Sequence, residues 1–230
     1  VIHATYLVNL ASDNPALVEK SVAALVNDLK VCALGKFDGV VVHLGSHQGR
    51  GYEAMRKQLI SEISRIVDQT PEGGVFLIEN SAGQNGKIGS QLEEVKDLID
   101  GVGSERVGWC VDTCHLHAAG YVLGKADNSK LKVEGNKGKV NGGQRELFGE
   151  MKVVGKAVLV LATAEIERLD LWGRLKWIHI NESKDGFGSG RDRHENLGEG
   201  VIGLEGLKEF LRNQALEVPL VLEVPGFDGK

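Results

Sequence analysis

The chain reads as an α/β fold on a parallel sheet, and three observations predict it. Short β-branched apolar runs alternate with helical patterns of one to two dozen residues, the alternation that parallel strands and crossover helices produce. The 230 residues, 42% hydrophobic and 5% aromatic, suffice for one large domain with a full core, and 31 glycines against four prolines mark many tight turns. Five apolar runs each end in a His, Asp or Glu. In a barrel or a doubly wound sheet all five ends would lie on one face.

The first run is VIHATYLVNL, carrying His3. After the turn ASDNP, Leu17, Val18, Val22, Leu25, Leu29 and Val31 fit helical spacing, with Asn14 as N-cap, Pro15 in the first turn and Gly35 as the stop. GVVVH ends at His43, and its loop leads into a helix from about Tyr52 to Asp68. GVFLIE ends at Glu79, followed by a Gly-rich loop and the helix SQLEEVKDLID. RVGWCVD ends at Asp112 and is followed by TCHLHAAGYVL. Residues 124 to 152, rich in Lys, Gly and Asn, read as an exposed insertion, either a solvated loop or a basic contact to a phosphate backbone. A helix is expected over about 156 to 169, with AVLVLATA as its buried face. LKWIH then ends at His179, a polar glycine-punctuated loop runs to Gly200, and VPLVLE ends at Glu223.

No stretch approaches the roughly 20 apolar residues that span a bilayer, and the start has neither a basic segment nor a cleavage signature. A soluble intracellular protein is expected, cytoplasmic, or nuclear in a eukaryote. Cys32, Cys110 and Cys114 are too few for a disulfide framework and are expected as free thiols. The chain opens without methionine inside an apolar run, which suggests an excerpt of a longer protein.

The candidate chemistry is metal binding. Asp192 and His194 stand two apart, where extended backbone turns both side chains the same way. Asp112 and His115 place a carboxylate on a strand end and an imidazole in the turn after it. With His3, His43, Glu79, His179 and Glu223 they make nine candidate ligands, five imidazoles and four carboxylates. One zinc needs about four. Nine suit two or three ions, and the mixed set favours zinc or manganese over calcium or magnesium. Clustered ions serve phosphodiester hydrolysis. A formal charge of −5 argues against a polyanionic partner, but three divalent ions would move the chain to about +1. His47 and His117 are left unassigned: each could support the ligands or face the substrate, although an ordinary loop histidine is the first reading of either.

The motifs HATYLVNL, HLGSH, IENSAGQ, CVDTCHLHAAGY, HINESK, GSGRDRHENLGEGVIG and LEVPG resemble, in order and spacing, those of the endonuclease IV family of apurinic/apyrimidinic endonucleases. The resemblance implies a (β/α)8 TIM barrel whose C-terminal face holds three zinc ions, cutting duplex DNA 5′ to an abasic nucleotide during base excision repair. It implies His3, His43 and Glu79 on one zinc; Glu79, Asp112, His179 and Glu223 on a second; and His115, Asp192 and His194 on the third. It further implies hydroxide attack on phosphorus from between the first two ions, with the third stabilising the leaving 3′-oxygen. Tyr6 and Leu7 match the loop that enters DNA at the lesion.

The chain departs from the family at four points. Two βα units before it and a last helix after it have no counterpart, the insertion is atypical, Leu44 replaces a proline, and Glu182 replaces the aspartate of H-x-N-D. An incomplete barrel is therefore expected within residues 1 to 230, forming one partial domain. A complete barrel would be a monomer, whereas an open one could self-associate. Two competing readings are a sugar isomerase or epimerase of the xylose isomerase-like barrels, for which a third ion has no use, and a non-catalytic remnant.

Overall fold

A computed structural model describes residues 1–124, 151–154, 157–212 and 217–225. In chain order the elements are β1 (Ile2–His3), α1 (Pro15–Gly35), β2 (Val40–Val42), α2 (Tyr52–Asp68), β3 (Phe76–Glu79), α3 (Leu92–Val102), β4 (Val107–Asp112), α4 (Thr113–Ala119), β5 (Tyr121–Val122), β6 (Met151–Val154), β7 (Ala157–Leu161), α5 (Ala162–Arg168), β8 (Leu175–His179), β9 (Glu182–Ser183), β10 (His194–Glu195), α6 (Leu204–Arg212) and β11 (Leu220–Val221).

Six strands form one sheet in the order β1-β2-β3-β4-β8-β11, every pair parallel. The order never reverses. A doubly wound sheet would place a switch point inside this sequence of neighbours, whereas strands laid down one after another in a single direction build the wall of a barrel. The sheet is a curled part of a TIM barrel, open between β11 and β1 among the described residues.

Period-two alternation splits the apolar residues between two layers. Val40, Val42, Phe76, Ile78, Trp109, Val111 and Ile178 point outward into a large core with Leu25 and Leu29 of α1, Leu59 and Ile63 of α2, and Leu98 of α3. Val41, Leu77, Cys110 and Trp177 point inward and form a separate cluster, with Val1, Val75 and Val221 against it. The inner cluster positions the site. Two residues beyond Val1, Val41, Leu77, Cys110, Trp177 and Val221 come His3, His43, Glu79, Asp112, His179 and Glu223, on the same inner face and one layer nearer the strand ends.

α1 begins where expected, with the Asn14 side chain accepting from the Ala16 N–H and Pro15 in the first turn. It runs through Gly35, and the left-handed residue that stops it is Lys36, with φ of 53°. α3 starts at Leu92, two residues inside the expected SQLEEVKDLID.

The helix expected over 156 to 169 is a strand followed by a helix. Ala157–Leu161 is β7, paired parallel with β5 and antiparallel with β6, and only Ala162–Arg168 is helical. AVLVL is a five-residue apolar run, too short for periodicity to separate a buried strand from a helix face, and its alternating valines favour the strand. Most of the insertion read at 124 to 152, from 125 to 150, lies outside the described residues. Met151 and Lys152 belong to β6.

Leu77 is fully buried in the small inner cluster that supports the site, so Leu77→Ala is expected to cost about 2–5 kcal/mol. Leu34→Ala, on a side chain 85% exposed, should stay within about 0.5 kcal/mol. Urea unfolding midpoints of the two variants test this, and equal shifts would refute the inner-layer packing.

Candidate metal centre

Glu79 ends β3 and is 1% exposed, a carboxylate buried where only neighbouring side chains can balance its charge. Its Oε2 lies 3.1 Å from both His3 Nε2 and His43 Nε2. Its Oε1 lies 2.9 Å from His179 Nδ1 and 3.6 Å from His115 Nδ1. The two oxygens thus face different sets of imidazoles.

Asp112, the last residue of β4, is fully buried. Its Oδ1 accepts from the His115 N–H at 2.8 Å and caps α4, which fixes His115 in the first helical turn. Its Oδ2 faces the cluster, 3.5 Å from His194 Nε2 and 4.0 Å from His179 Nδ1. Glu223 Oε2 approaches His179 Nδ1 at 3.1 Å.

Asp192 and His194 arrive from a loop folded back over the strand ends. β9 and β10 pair antiparallel, with His194 opposite Ser183, and Asp192 Oδ1 then stands 2.9 Å from His115 Nε2 and 3.3 Å from His194 Nε2. The N–H groups of Gly188 and Gly190 donate to the carbonyls of His117 and Ala118 near the end of α4, tying the loop down. Gly200 is required by close approach, since a Cβ there would sit 2.6 Å from both Glu182 Oε2 and the Ser183 carbonyl. Glu182 itself faces away from the cluster, its Oε2 accepting from the N–H groups of Ser183 and Ile202. Glu182 therefore bears on loop closure and not on the cluster.

The nine residues fall into three groups whose donor atoms lie within 4.8 Å of one another: His3, His43 and Glu79; Glu79, Asp112, His179 and Glu223; and His115, Asp192 and His194. Glu79 is shared by the first two. Cys110 and Cys114 also come close, one beside Glu79 and His179, the other beside Asp112 and His194. All three cysteines are free and buried.

The ring nitrogens show that these residues suit metal ions. Nδ1 of His3, His115 and His194 lies 2.8, 2.9 and 2.8 Å from the carbonyls of Ala4, Asn80 and Glu223. A carbonyl only accepts, so each Nδ1 carries a proton and each Nε2 is the nitrogen left to face the cluster. Nε2 of His43, His115 and His194 is buried without a hydrogen-bond partner, although carboxylate oxygens stand 2.9 to 3.3 Å away. Ring nitrogens without partners and carboxylates aimed into one space are what a cation would satisfy.

Without cations, protons take over part of the compensation. Burial pushes His43 down to about 4, so its ring stays neutral. Burial also works against a charged His115, yet Asp112, Asp192 and Glu79 outweigh it and raise the ring to about 10. His179 is likewise raised, burial being overcome by contacts with Cys110, Glu223 and Glu79, and His3 and His194 move in the same direction. Glu79 is held well below the usual carboxylate range, burial being outweighed by His43, His179 and His3.

Two asparagines that sequence reasoning left without a role brace the cluster. Asn181 Nδ2 donates to Asp112 Oδ2 at 2.6 Å, and its Oδ1 accepts from the Glu223 N–H at 2.8 Å, so one side chain positions two carboxylates of the cluster. Asn80 Oδ1 accepts from the Asp112 N–H at 2.7 Å. Their positions directly after Glu79 and two after His179 were the available signal. Outside the cluster, His47 Nδ1 accepts from the N–H groups of Gly49 and Gly51, and buried His117 packs edge-on against Phe187. Tyr6 and Leu7 stand at the rim, 66% and 82% exposed, with the Tyr6 ring 5.2 Å from that of His43.

The profile of the Xylose isomerase-like TIM barrel family, which groups the AP endonucleases, matches residues 1–229. A probable endonuclease 4 of Methanoculleus marisnigri is 36% identical over 228 residues, covering 98% of this chain and 70% of that protein. The chain belongs to the endonuclease IV family. A probable endonuclease 4 of Halothermothrix orenii is also 36% identical, over 100% of this chain and 73% of its own length. The crystal structure of endonuclease IV from Thermus thermophilus superposes with a TM-score of 0.71 at 31% identity, covering 99% of this chain and 69% of that one. A D-tagatose 3-epimerase-like protein shares the fold, with a TM-score of 0.69 at 18% identity. Among the described residues no helix of this family member is long and apolar enough to cross a membrane.

The raised imidazoles make metal uptake pH-dependent with a definite sign. His115 and His179 hold protons near neutral pH that an incoming ion must displace, so affinity rises with pH. Binding of zinc, followed between about pH 6 and 8, should tighten by at least about tenfold per pH unit, the factor for one displaced proton. Calorimetry in buffers of different ionisation enthalpy should register net proton release; a pH-independent affinity would refute the cluster as a metal centre.

Proposed function

We propose that the chain is a metal-dependent endonuclease that hydrolyses the phosphodiester on the 5′ side of an abasic nucleotide in duplex DNA, the incision step of base excision repair. Three zinc ions are assigned to the three ligand groups. The observation that carries this reading is the third group, His115, Asp192 and His194, standing beside the two that share Glu79. A sugar epimerase on this fold would have no use for it.

Bound divalent ions would lower the pKa of a coordinated water to about 7 and neutralise charge developing on phosphoryl oxygens. The residues supply order. Glu79 offers Oε2 to the side of His3 and His43 and Oε1 to the side of His179, which suits a bridging carboxylate. Asn181 holds Asp112 and Glu223 in register, and the three Nδ1–H contacts to backbone carbonyls fix their rings. The donor set of five imidazoles and four carboxylates supports zinc, or manganese, over calcium.

Tyr6 and Leu7 stand beside this cluster as exposed apolar side chains, and their suggested role is to enter the duplex at the lesion. A nucleotide must leave the stack before its phosphate can enter so recessed a site, and an abasic one has no base to unpair. The chain's formal charge of −5 does not oppose this substrate, because three divalent ions bring the total to about +1.

The zinc-loaded protein should cut a duplex at a single abasic site, leave the undamaged duplex intact, and lose the activity to a chelator. Glu79→Gln should lower the rate by more than about a hundredfold, beyond what loss of an outer hydrogen-bonding partner costs. Retained cleavage in that variant would refute the bridging role, and ketose epimerisation without DNA cleavage would favour the sugar reading.

A further inference from the structure

We propose that Lys87 is a substrate-binding residue, its ammonium taking an oxygen of the phosphodiester beside the His115–Asp192–His194 group. The inference rests on the phosphodiesterase reading above. Lys87 Nζ lies 3.6 Å from Asp192 Oδ2, the oxygen turned away from the cluster, while Oδ1 faces His115 and His194. Among the ion pairs of the described residues, this one joins a lysine to a carboxylate of the nine.

The Lys87–Asp192 pair is an ion pair beyond hydrogen-bond length, and the Lys87 side chain remains 31% exposed. Three donors on the ammonium face one distant acceptor among the described residues. Once a cation draws on Oδ1, the charge that Asp192 presents to Lys87 falls further, and the ammonium is left to a second anion. The anion that enters this cleft is the phosphodiester, which already carries a negative charge when it binds.

The backbone under Lys87 is held from several sides. Asn85 and Gly86 both have positive φ, 55° and 71°, and turn the chain so that Lys87 follows directly on the bend. The bend is fastened to the neighbouring loop by Ser46 Oγ donating to the Asn85 carbonyl, the His47 N–H to that of Gly86, and the Ile88 N–H to that of Gly45. The His47 ring lies against Gly86 so closely that a Cβ would sit 2.6 Å from its Cε1. A long cationic side chain on a fixed base, aimed at the rim of the cluster, suits charge placement better than it suits packing.

The test compares wild type, Lys87→Met and Lys87→Arg, each zinc-loaded, on abasic duplex across a range of salt. Lys87→Met should raise KM by about tenfold, the scale of one charge-assisted hydrogen bond, with kcat within about threefold. Its plot of log(kcat/KM) against log salt should be shallower by about 0.9, as expected when the protein neutralises one phosphate fewer. Lys87→Arg should restore both, and zinc content should be the same in all three proteins. An unchanged salt slope in Lys87→Met overturns the proposal, and so does a fall in its zinc content, which would make Lys87 a support for Asp192. Failure of wild type itself to cut abasic duplex would instead overturn the phosphodiesterase reading, so the two failures are distinguishable.

Discussion

The structure depends on the burial of one carboxylate. Glu79 sits at the end of β3, in the middle of the sheet and almost without solvent contact. A lone buried charge is among the most costly features a fold can carry. Imidazoles from β1, β2 and β8 surround it, each contributed by a strand that parallel pairing brings to the same level. Four carboxylates and five neutral imidazoles would still leave the cluster strongly negative, so the arrangement calls for cations, and protons on His115 and His179 replace them only in part.

The sheet makes this possible by plain geometry. The side-chain period of a strand is two, so an inward apolar residue is followed two positions later by another inward residue. Val41, Leu77, Cys110 and Trp177 fill the interior layer, and His43, Glu79, Asp112 and His179 stand above them. Parallel strands put all these ends on one face. His115 comes from a helix capped by Asp112, and Asp192 with His194 from a loop anchored to the end of α4, so the third group is built outside the sheet and added to its rim.

These relations explain what could be read from sequence. The convergence of the strand-end side chains was legible because an apolar run closing in His, Asp or Glu is conspicuous, and five such runs in one chain imply that their ends meet. β7 was not legible, because AVLVL suits a strand and a buried helix face alike, and pairing with β5 and β6 decides it. Asn80 and Asn181 escaped notice because asparagine near a turn ordinarily signals the turn; their work, holding Asp112 and Glu223 in place, requires contacts between strands distant in sequence. Lys87 escaped for a similar reason, as a lysine in a Gly-rich loop looks like any solvated charge until Asp192 is brought beside it.

The central claim is that nine side chains form one centre for three ions, and counting metal tests it most directly. Elemental mass spectrometry on the purified 230-residue chain, reconstituted with zinc and freed of excess, should give about three ions per chain. One ion or none would contradict the account, because the three donor groups joined through Glu79 and Asp112 would then not hold the ions proposed for them.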